Sequence, residues 1–398
     1  MSVAETQPAT IFAQRLDRLR AALREQKLDA LLVTNPENRR YLSGYTGHDS
    51  GADSAGALLI SPDAVTLITD GRYIEQAARE CPGVRLVKRE GEFAPVAAQV
   101  IRELGAGRVG FEAAHVTVAQ RDDLEAALKE KQPEGAAVVS LVATRKLVEP
   151  LRAVKDTSEL AAIERAVQIT DDTFAYLCGW LRPGLTERQV ALEIERYMRE
   201  QGAEGVAFTP IVASGPNAAL PHATPTDRAL GLGEPITIDM GARYAGYCSD
   251  LTRTVCLGEP GPEAQALYDA VLAAQTAATD GLRPGINGKE ADALARDALA
   301  ASGHGEHFLH SLGHGLGLEI HENPRLSRFG EDHQLAPGMV VTVEPGAYIS
   351  GKSGVRIEDT AVITEDGVRV LSRAHKRFSL PISARSSASA PTSSAGQP

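Results

Sequence analysis

At 398 residues, with 43% apolar and 23% charged side chains, the chain has an ordinary globular composition and the length for two or three cored domains. A formal charge of −11 argues against nucleic acid or an anionic membrane as the main partner. No apolar run reaches the ~20 residues that span a bilayer, and the first residues lack the basic-then-apolar order of a signal peptide. Cys81, Cys178, Cys248 and Cys256 show neither CxxC nor zinc-finger spacing, so a reduced, cytoplasmic protein is expected.

Along residues 1–150, helical and strand patterns alternate as in an α/β layer structure. Phe12, Leu16, Leu19 and Leu23 recur at helical spacing, and Asp29-Ala-Leu-Leu-Val-Thr34 follows as a buried strand. Ala57-Leu-Leu-Ile-Ser and Val65-Thr-Leu-Ile-Thr flank a Ser61-Pro-Asp63 turn, which suits a hairpin. A helix over 72–80, a strand at Arg85-Leu-Val-Lys, a helix over 93–104, the strand Arg108-Val-Gly-Phe-Glu and a helix over 118–128 complete the series. With no phosphate loop, nucleophile elbow or carboxylate cluster, this domain reads as a scaffold or oligomerisation element, and a homodimer is expected.

A charged stretch from Thr144 to Thr157 leads into a long helix from about Ser158 and opens a second domain, 151–383. Residues 384–398 are almost entirely Ser, Ala, Pro, Thr, Gly and Gln and are expected to form a disordered tail. Inside the second domain the chain repeats itself. Arg182-Pro-Gly-Leu-Thr-Glu opens a helix ending at Gly202, with a Thr186/Gln189 capping box, and Arg283-Pro-Gly-Ile-Asn-Gly opens another ending at Gly303. Behind each helix the chemical residues recur in order. His222 matches His321, Asp239 matches Glu344 and Asp250 matches Glu358, while His314 has no counterpart.

Asp239 ends a β-branched strand and Asp250 lies near the start of another, with Gly241–Gly246 suited to the hairpin turn between them. Val340-Val-Thr-Val-Glu344 and Gly354-Val-Arg-Ile-Glu358 repeat that arrangement. A single carboxylate at a strand end is an ordinary solvated residue. Four beside Ile and Val runs are not, because central strands avoid Asp and Glu. With His314 they make an oxygen-rich set suited to two Mn²⁺-like ions. Left empty, such close carboxylates would repel and take up protons. The glycines around His314 would let the backbone approach an ion or ligand closely. His304, His307 and His333 read as surface or core residues, and the His314/His321 spacing differs from HExxH.

The segments Leu-Pro-His222, Ile-Asp239-Met-Gly-Ala, Ser-Asp250-Leu-Thr-Arg-Thr, His310-Ser-Leu-Gly-His314-Gly-Leu-Gly-Leu-Glu-Ile-His321-Glu, Val-Glu344-Pro-Gly-Ala-Tyr348 and Gly-Val-Arg356-Ile-Glu358-Asp resemble the pita-bread metallopeptidases, in the aminopeptidase P and prolidase branch. The resemblance implies an α/β N-terminal domain followed by an α+β pita-bread catalytic domain with an internal pseudo-twofold repeat. It also implies a dinuclear centre of manganese or cobalt. Asp239 would bind one ion through both oxygens, His314 and Glu344 would hold the other, and Asp250 and Glu358 would bridge them. A water shared by the ions would supply hydroxide near neutral pH for attack on the carbonyl preceding proline. Glu344 would move a proton to the leaving nitrogen, and His222 and His321 would hydrogen-bond the tetrahedral intermediate. His310, Tyr348 and Arg356 would shape the proline side of the pocket, with partnership of a carboxylate ligand as Arg356's other reading.

Three rivals share parts of this pattern. Methionine aminopeptidase typically lacks the N-terminal domain, creatinase-like hydrolases lack the metal set, and a binding protein on the same fold would have lost ligands that this chain keeps. Between Xaa-Pro aminopeptidase and Xaa-Pro dipeptidase no motif decides. His310-Ser-Leu-Gly-His314 and the compact length lean to the aminopeptidase, acting on proline-containing peptides.

Overall fold

The structure, a computed structural model, describes residues 8–48, 55–130, 138–330 and 334–381. His333 and the expected tail at 384–398 lie outside them. The chain divides into two compact units, Met1–Arg152 and Ala153–Pro398.

In the first unit six strands form one mixed sheet, in the order Arg85–Lys88, Val65–Thr69, Ala57–Ile60, Ala30–Val33, Arg108–Glu112 and Ser140–Thr144. The expected hairpin is antiparallel, with Ile60 opposite Val65. Leu32, Leu59 and Val109 are buried with Phe93, Ala97 and Ile101 of the Phe93–Glu103 helix and Leu124 and Leu128 of the Val118–Glu130 helix. Among the elements that escaped the sequence reading are the Ser140–Thr144 strand and the Pro36–Ser43 helix. The helix carries few apolar residues, so its periodicity is faint, yet its start was marked. Asn35 caps it by accepting from Asn38 N, and Pro36 fills its first turn.

The repeat dominates the second unit. Each half begins with a long helix, Thr157–Trp180 or Pro262–Gly281, which extends the duplication one element upstream of where the sequence revealed it. The next helices, Glu187–Glu200 and Gly288–Ala301, have 14 residues each and begin with capping boxes, Thr186/Gln189 and Asn287/Glu290. Left-handed glycines frame both, Gly184 (φ 89°) and Gly202 (φ 95°) against Gly285 (φ 91°) and Gly303 (φ 80°). Val190, Ile194 and Met198, spaced four apart, present one apolar face that is fully buried with Ile236, Ile238 and Val255 of the first-half sheet.

That sheet orders Ser379–Leu380, Leu251–Leu257, Pro235–Met240 and Ile211–Ser214. Its second-half equivalent orders Val368–Val370, Asp359–Ile363, Val340–Val343, Gly313–Gly315 and Glu322–Leu326. Gly241–Gly246 is more than the expected turn. Ala242–Tyr244 is a strand that pairs with Tyr247–Cys248, and only Ala245 (φ 47°) and Gly246 (φ 79°) form the bend. Two successive left-handed residues suit the twist of a tight hairpin, which explains how so short a stretch holds two strands. The second half inserts its own hairpin in the same place, Gly346–Ile349 against Ser353–Arg356. Among the described residues, no helix is long and apolar enough to cross a membrane.

Candidate metal centre

Strand register brings the carboxylates together. Asp239 sits opposite Thr252, with Asp250 two residues before that partner. Val343 faces Asp359, which leaves Glu344 and Glu358 at the adjoining end of the other ladder. Oxygens of Asp239, Asp250 and Glu358 all lie within 4.8 Å of one another. His314 completes the group, its Nε2 3.3 Å from Glu344 Oε1 and 3.7 Å from Asp250 Oδ2. Its backbone N–H donates to Thr342 Oγ1 at 3.0 Å. In the first half Ala213 pairs with Thr237, the residue matching Thr342, so alanine stands where the second half has its histidine.

The glycines flanking His314 have a packing role as well. A Cβ on Gly313 would collide with the Thr342 carbonyl, and one on Gly315 with the Asn323 carbonyl. They let this strand fit between its two neighbours, and Gly313 also borders the cavity described below.

Burial drives the electrostatics. It raises the pKa of Asp250 and of Glu358 well above the ordinary carboxylate range, and repulsion from neighbouring carboxylates adds to it. Asp239 is raised by the same burial, with the Arg356 charge opposing. Glu344 goes the other way. Burial would raise it, but the bond and charge of His314 outweigh that and hold it down at about 2. His314 is raised despite burial, because Glu344 faces it.

These residues fit a cation. Asp239 Oδ1 and Glu358 Oε1 are buried without a hydrogen-bond partner, a state that costs about 1–3 kcal/mol per group and more for a charge. Their second oxygens are engaged, Asp239 Oδ2 by Arg356 Nη2 at 2.6 Å and Glu358 Oε2 by Thr252 Oγ1 at 2.8 Å. Nδ1 of His314 donates to the Gly315 carbonyl at 3.0 Å, so once Nε2 gives up the proton it shares with Glu344 its lone pair is free for a cation. Oxygen-rich donors with one imidazole suit a hard or borderline divalent ion.

All five candidate ligands border one cavity of about 570 Å³, together with His222, His310, His321 and Arg356. The ring of His321 meets that of His314 edge-on, with centroids 4.4 Å apart, and burial lowers the His321 pKa. Tyr348 does not border the cavity. Only 3% exposed, it stands behind His310, and its hydroxyl is shared between two partners. Nδ1 of His310 donates to the Ser311 carbonyl (2.8 Å), so its Nε2 accepts from Tyr348 (2.8 Å), whose oxygen accepts from Arg356 Nη1 (2.8 Å). Arg356 also reaches Thr252 Oγ1 (3.1 Å) and the Pro221 carbonyl (3.1 Å), so its second reading, partnership with a ligand carboxylate, describes its position. Thr252 and Arg325 escaped the sequence reading. A buried threonine between Leu251 and Arg253 is a signal only once its register against Asp239 is known.

The family model for metallopeptidase family M24 matches residues 161–365, and that for the creatinase/prolidase N-terminal domain matches 15–154. The Xaa-Pro dipeptidase of Pyrococcus furiosus is 34% identical over 92% of this chain and 99% of its own length. Among solved structures, the Xaa-Pro dipeptidase from Bacillus anthracis is 40% identical, with a TM-score of 0.86 over 93% of this chain and all of that one. The X-Pro aminopeptidase from Thermotoga maritima is 36% identical, with a TM-score of 0.80 over 90% and 99%. From its duplicated pita-bread half-domains to its carboxylate cluster, this chain belongs to metallopeptidase family M24 and carries a creatinase/prolidase N-terminal domain.

Proposed function

We propose that the protein is a two-metal Xaa-Pro dipeptidase that hydrolyses the bond preceding proline. The observation that carries this reading is the pair of orphaned carboxylate oxygens, Asp239 Oδ1 and Glu358 Oε1, inside a buried four-carboxylate, one-histidine group on a cavity wall. Relatives named as Xaa-Pro dipeptidases, from Pyrococcus furiosus, Pyrococcus horikoshii and Bacillus anthracis, support the dipeptidase over the aminopeptidase to which the sequence leaned. Asp239, Asp250, His314, Glu344 and Glu358 would hold the ions, Mn²⁺ or Co²⁺ by their donor chemistry. Bound there, the ions supply an acidified water and polarise the substrate carbonyl.

The remaining work falls to the chain. The carboxylate of Glu344 accepts the proton that the water gives up and passes it to the departing proline nitrogen. His222 and His321 donate hydrogen bonds to the oxygen on which charge develops. His310 borders the proline side in the tautomer set by Ser311 and Tyr348. Arg356 holds Asp239, Tyr348 and the Pro221 carbonyl in register. A cytoplasmic homodimer completes the reading, with residues 1–150 as its scaffold domain and 151–383 as the catalytic one.

The deciding experiment compares hydrolysis of Xaa-Pro with that of Xaa-Pro-Yaa by the Mn²⁺-supplemented protein. Cleavage of the dipeptide with the tripeptide left intact is expected. A preference for the tripeptide would restore the aminopeptidase reading, and failure on both overturns the proline assignment.

A further inference from the structure

Glu187 is the first residue of the Glu187–Glu200 helix, is fully buried, and has no part in the chemistry proposed above. Both of its oxygens are saturated. Oε1 accepts from Ser214 N (2.7 Å), Ser214 Oγ (2.9 Å) and Asn217 Nδ2 (3.1 Å). Oε2 accepts from Thr226 N (3.0 Å), Thr226 Oγ1 (2.6 Å) and the same Asn217 amide (3.1 Å). Main-chain bonds reinforce the grip, with Glu187 N donating to the Arg228 carbonyl and Arg188 N to the Thr226 carbonyl.

These partners lie at the two ends of one segment, 214–226. Between them the chain leaves the Ile211–Ser214 strand, makes a short 3-10 turn over Gly215–Ala219, and runs along the cavity wall from Pro221 to Pro225 with His222 exposed toward it. The tip is tied separately, by Arg356 Nη1 to the Pro221 carbonyl at 3.1 Å. A single carboxylate therefore closes the neck of the segment that carries His222.

The clamp is absent from the other half of the repeat. Gly288, 101 residues on from Glu187, has no side chain, and a Cβ there would collide with the Arg325 carbonyl. The His321 segment is secured differently, by the buried ion pair of Lys155 Nζ with Glu322 Oε2 at 3.2 Å. A buried acid at this helix start is thus no general need of the repeat. It belongs to the His222 side.

We propose that Glu187 is a positioning residue for His222, its carboxylate pinning Ser214 to Thr226 and so setting where the imidazole meets the substrate. The kinetic consequence rests on the peptidase reading, whereas the clamp itself does not. The test uses the full-length, Mn²⁺-loaded protein and two variants that cut the clamp from opposite sides, Glu187→Gln and Thr226→Val. In each, kcat on an Xaa-Pro dipeptide is expected to fall about 10- to 100-fold, with bound metal unchanged. In a His222→Ala background, Glu187→Gln is expected to cost less than about twofold more, because both changes act through one imidazole. Amide exchange over 215–226 is expected to quicken in both variants, while the Pro235–Met240 strand keeps its protection. Full multiplicative loss in the His222→Ala background, or unaltered exchange over 215–226, overturns the proposal. Should the wild type cleave no Xaa-Pro peptide, the peptidase reading fails, and the exchange comparison still decides whether Glu187 is the clamp.

Discussion

Arg356 and Asp239 share one short ion pair: Nη2 donates to Oδ2 at 2.6 Å, while Oδ1 of the same buried carboxylate has no partner. The guanidinium thus fixes how Asp239 faces the cluster and leaves one oxygen open. Arg356→Lys keeps a charge but loses the fork that simultaneously reaches Thr252, Tyr348 and Pro221. We expect metal affinity or activity to drop about 10- to 100-fold, read by metal titration and by kcat/KM. An unchanged titration would separate Arg356 from the metal centre.

Removing the ions should abolish peptidase activity, and Mn²⁺ or Co²⁺ should restore it. Asp250→Ala deletes an acid placed between the two halves of the site and is expected to lose bound metal and activity together, measured by elemental analysis beside the assay. Full occupancy in that variant would show that Asp250 is no ligand.

Acid should stabilise the metal-free protein. Asp239, Asp250 and Glu358 are all raised by burial, from ordinary values of 3.8 for the aspartates and 4.5 for the glutamate. The folded state therefore holds more protons than the unfolded one above those values. Stability from these groups is fully present below the unfolded pKa values and is lost as pH rises through the folded ones. Glu344, held at about 2, acts in the opposite sense but only between about 2 and its ordinary value of 4.5. The melting temperature of the metal-free protein is expected to fall from about pH 5 toward neutrality, and metal binding to release protons. Calorimetry in buffers of different ionisation enthalpy measures that release, and binding without it would contradict the raised values.

His321→Ala should lower kcat about 10²- to 10³-fold, the usual effect of deleting an oxyanion donor, while leaving metal content intact. Its ring lies edge-on to that of His314, with centroids 4.4 Å apart. Loss of metal from the variant would move His321 into the coordination sphere.

Much of this site was legible because its residues break local rules. Asp239, Asp250, Glu344 and Glu358 stand beside β-branched runs, where carboxylates are out of place, and the duplicated Arg-Pro-Gly openings exposed the repeat that pairs them. The resemblance supplied the roles. What stayed hidden depends on register and on partners distant in sequence. Thr252 matters because it faces Asp239 across a ladder, and Glu187 because residues 27 and 39 positions away converge on it. The resemblance implies that Tyr348 helps to shape the proline side of the pocket. Only the hydrogen-bond chain through His310 and Arg356 shows that it stands behind the wall. The leaning toward the aminopeptidase rested on length and one short motif, neither of which reports how deep the cavity is beyond proline.

The tight seat of His314 has a practical bearing on anyone who would redesign the centre. With carbonyls crowding the α-carbons on both sides of it, position 313 admits no larger residue without prising the His314 strand from Val340–Val343, and position 315 none without prising it from Glu322–Leu326. Within this strand, retuning metal preference is therefore confined to the side chain at 314 itself, and a library that randomises the whole Gly-His-Gly stretch would spend most of its members on misfolded protein.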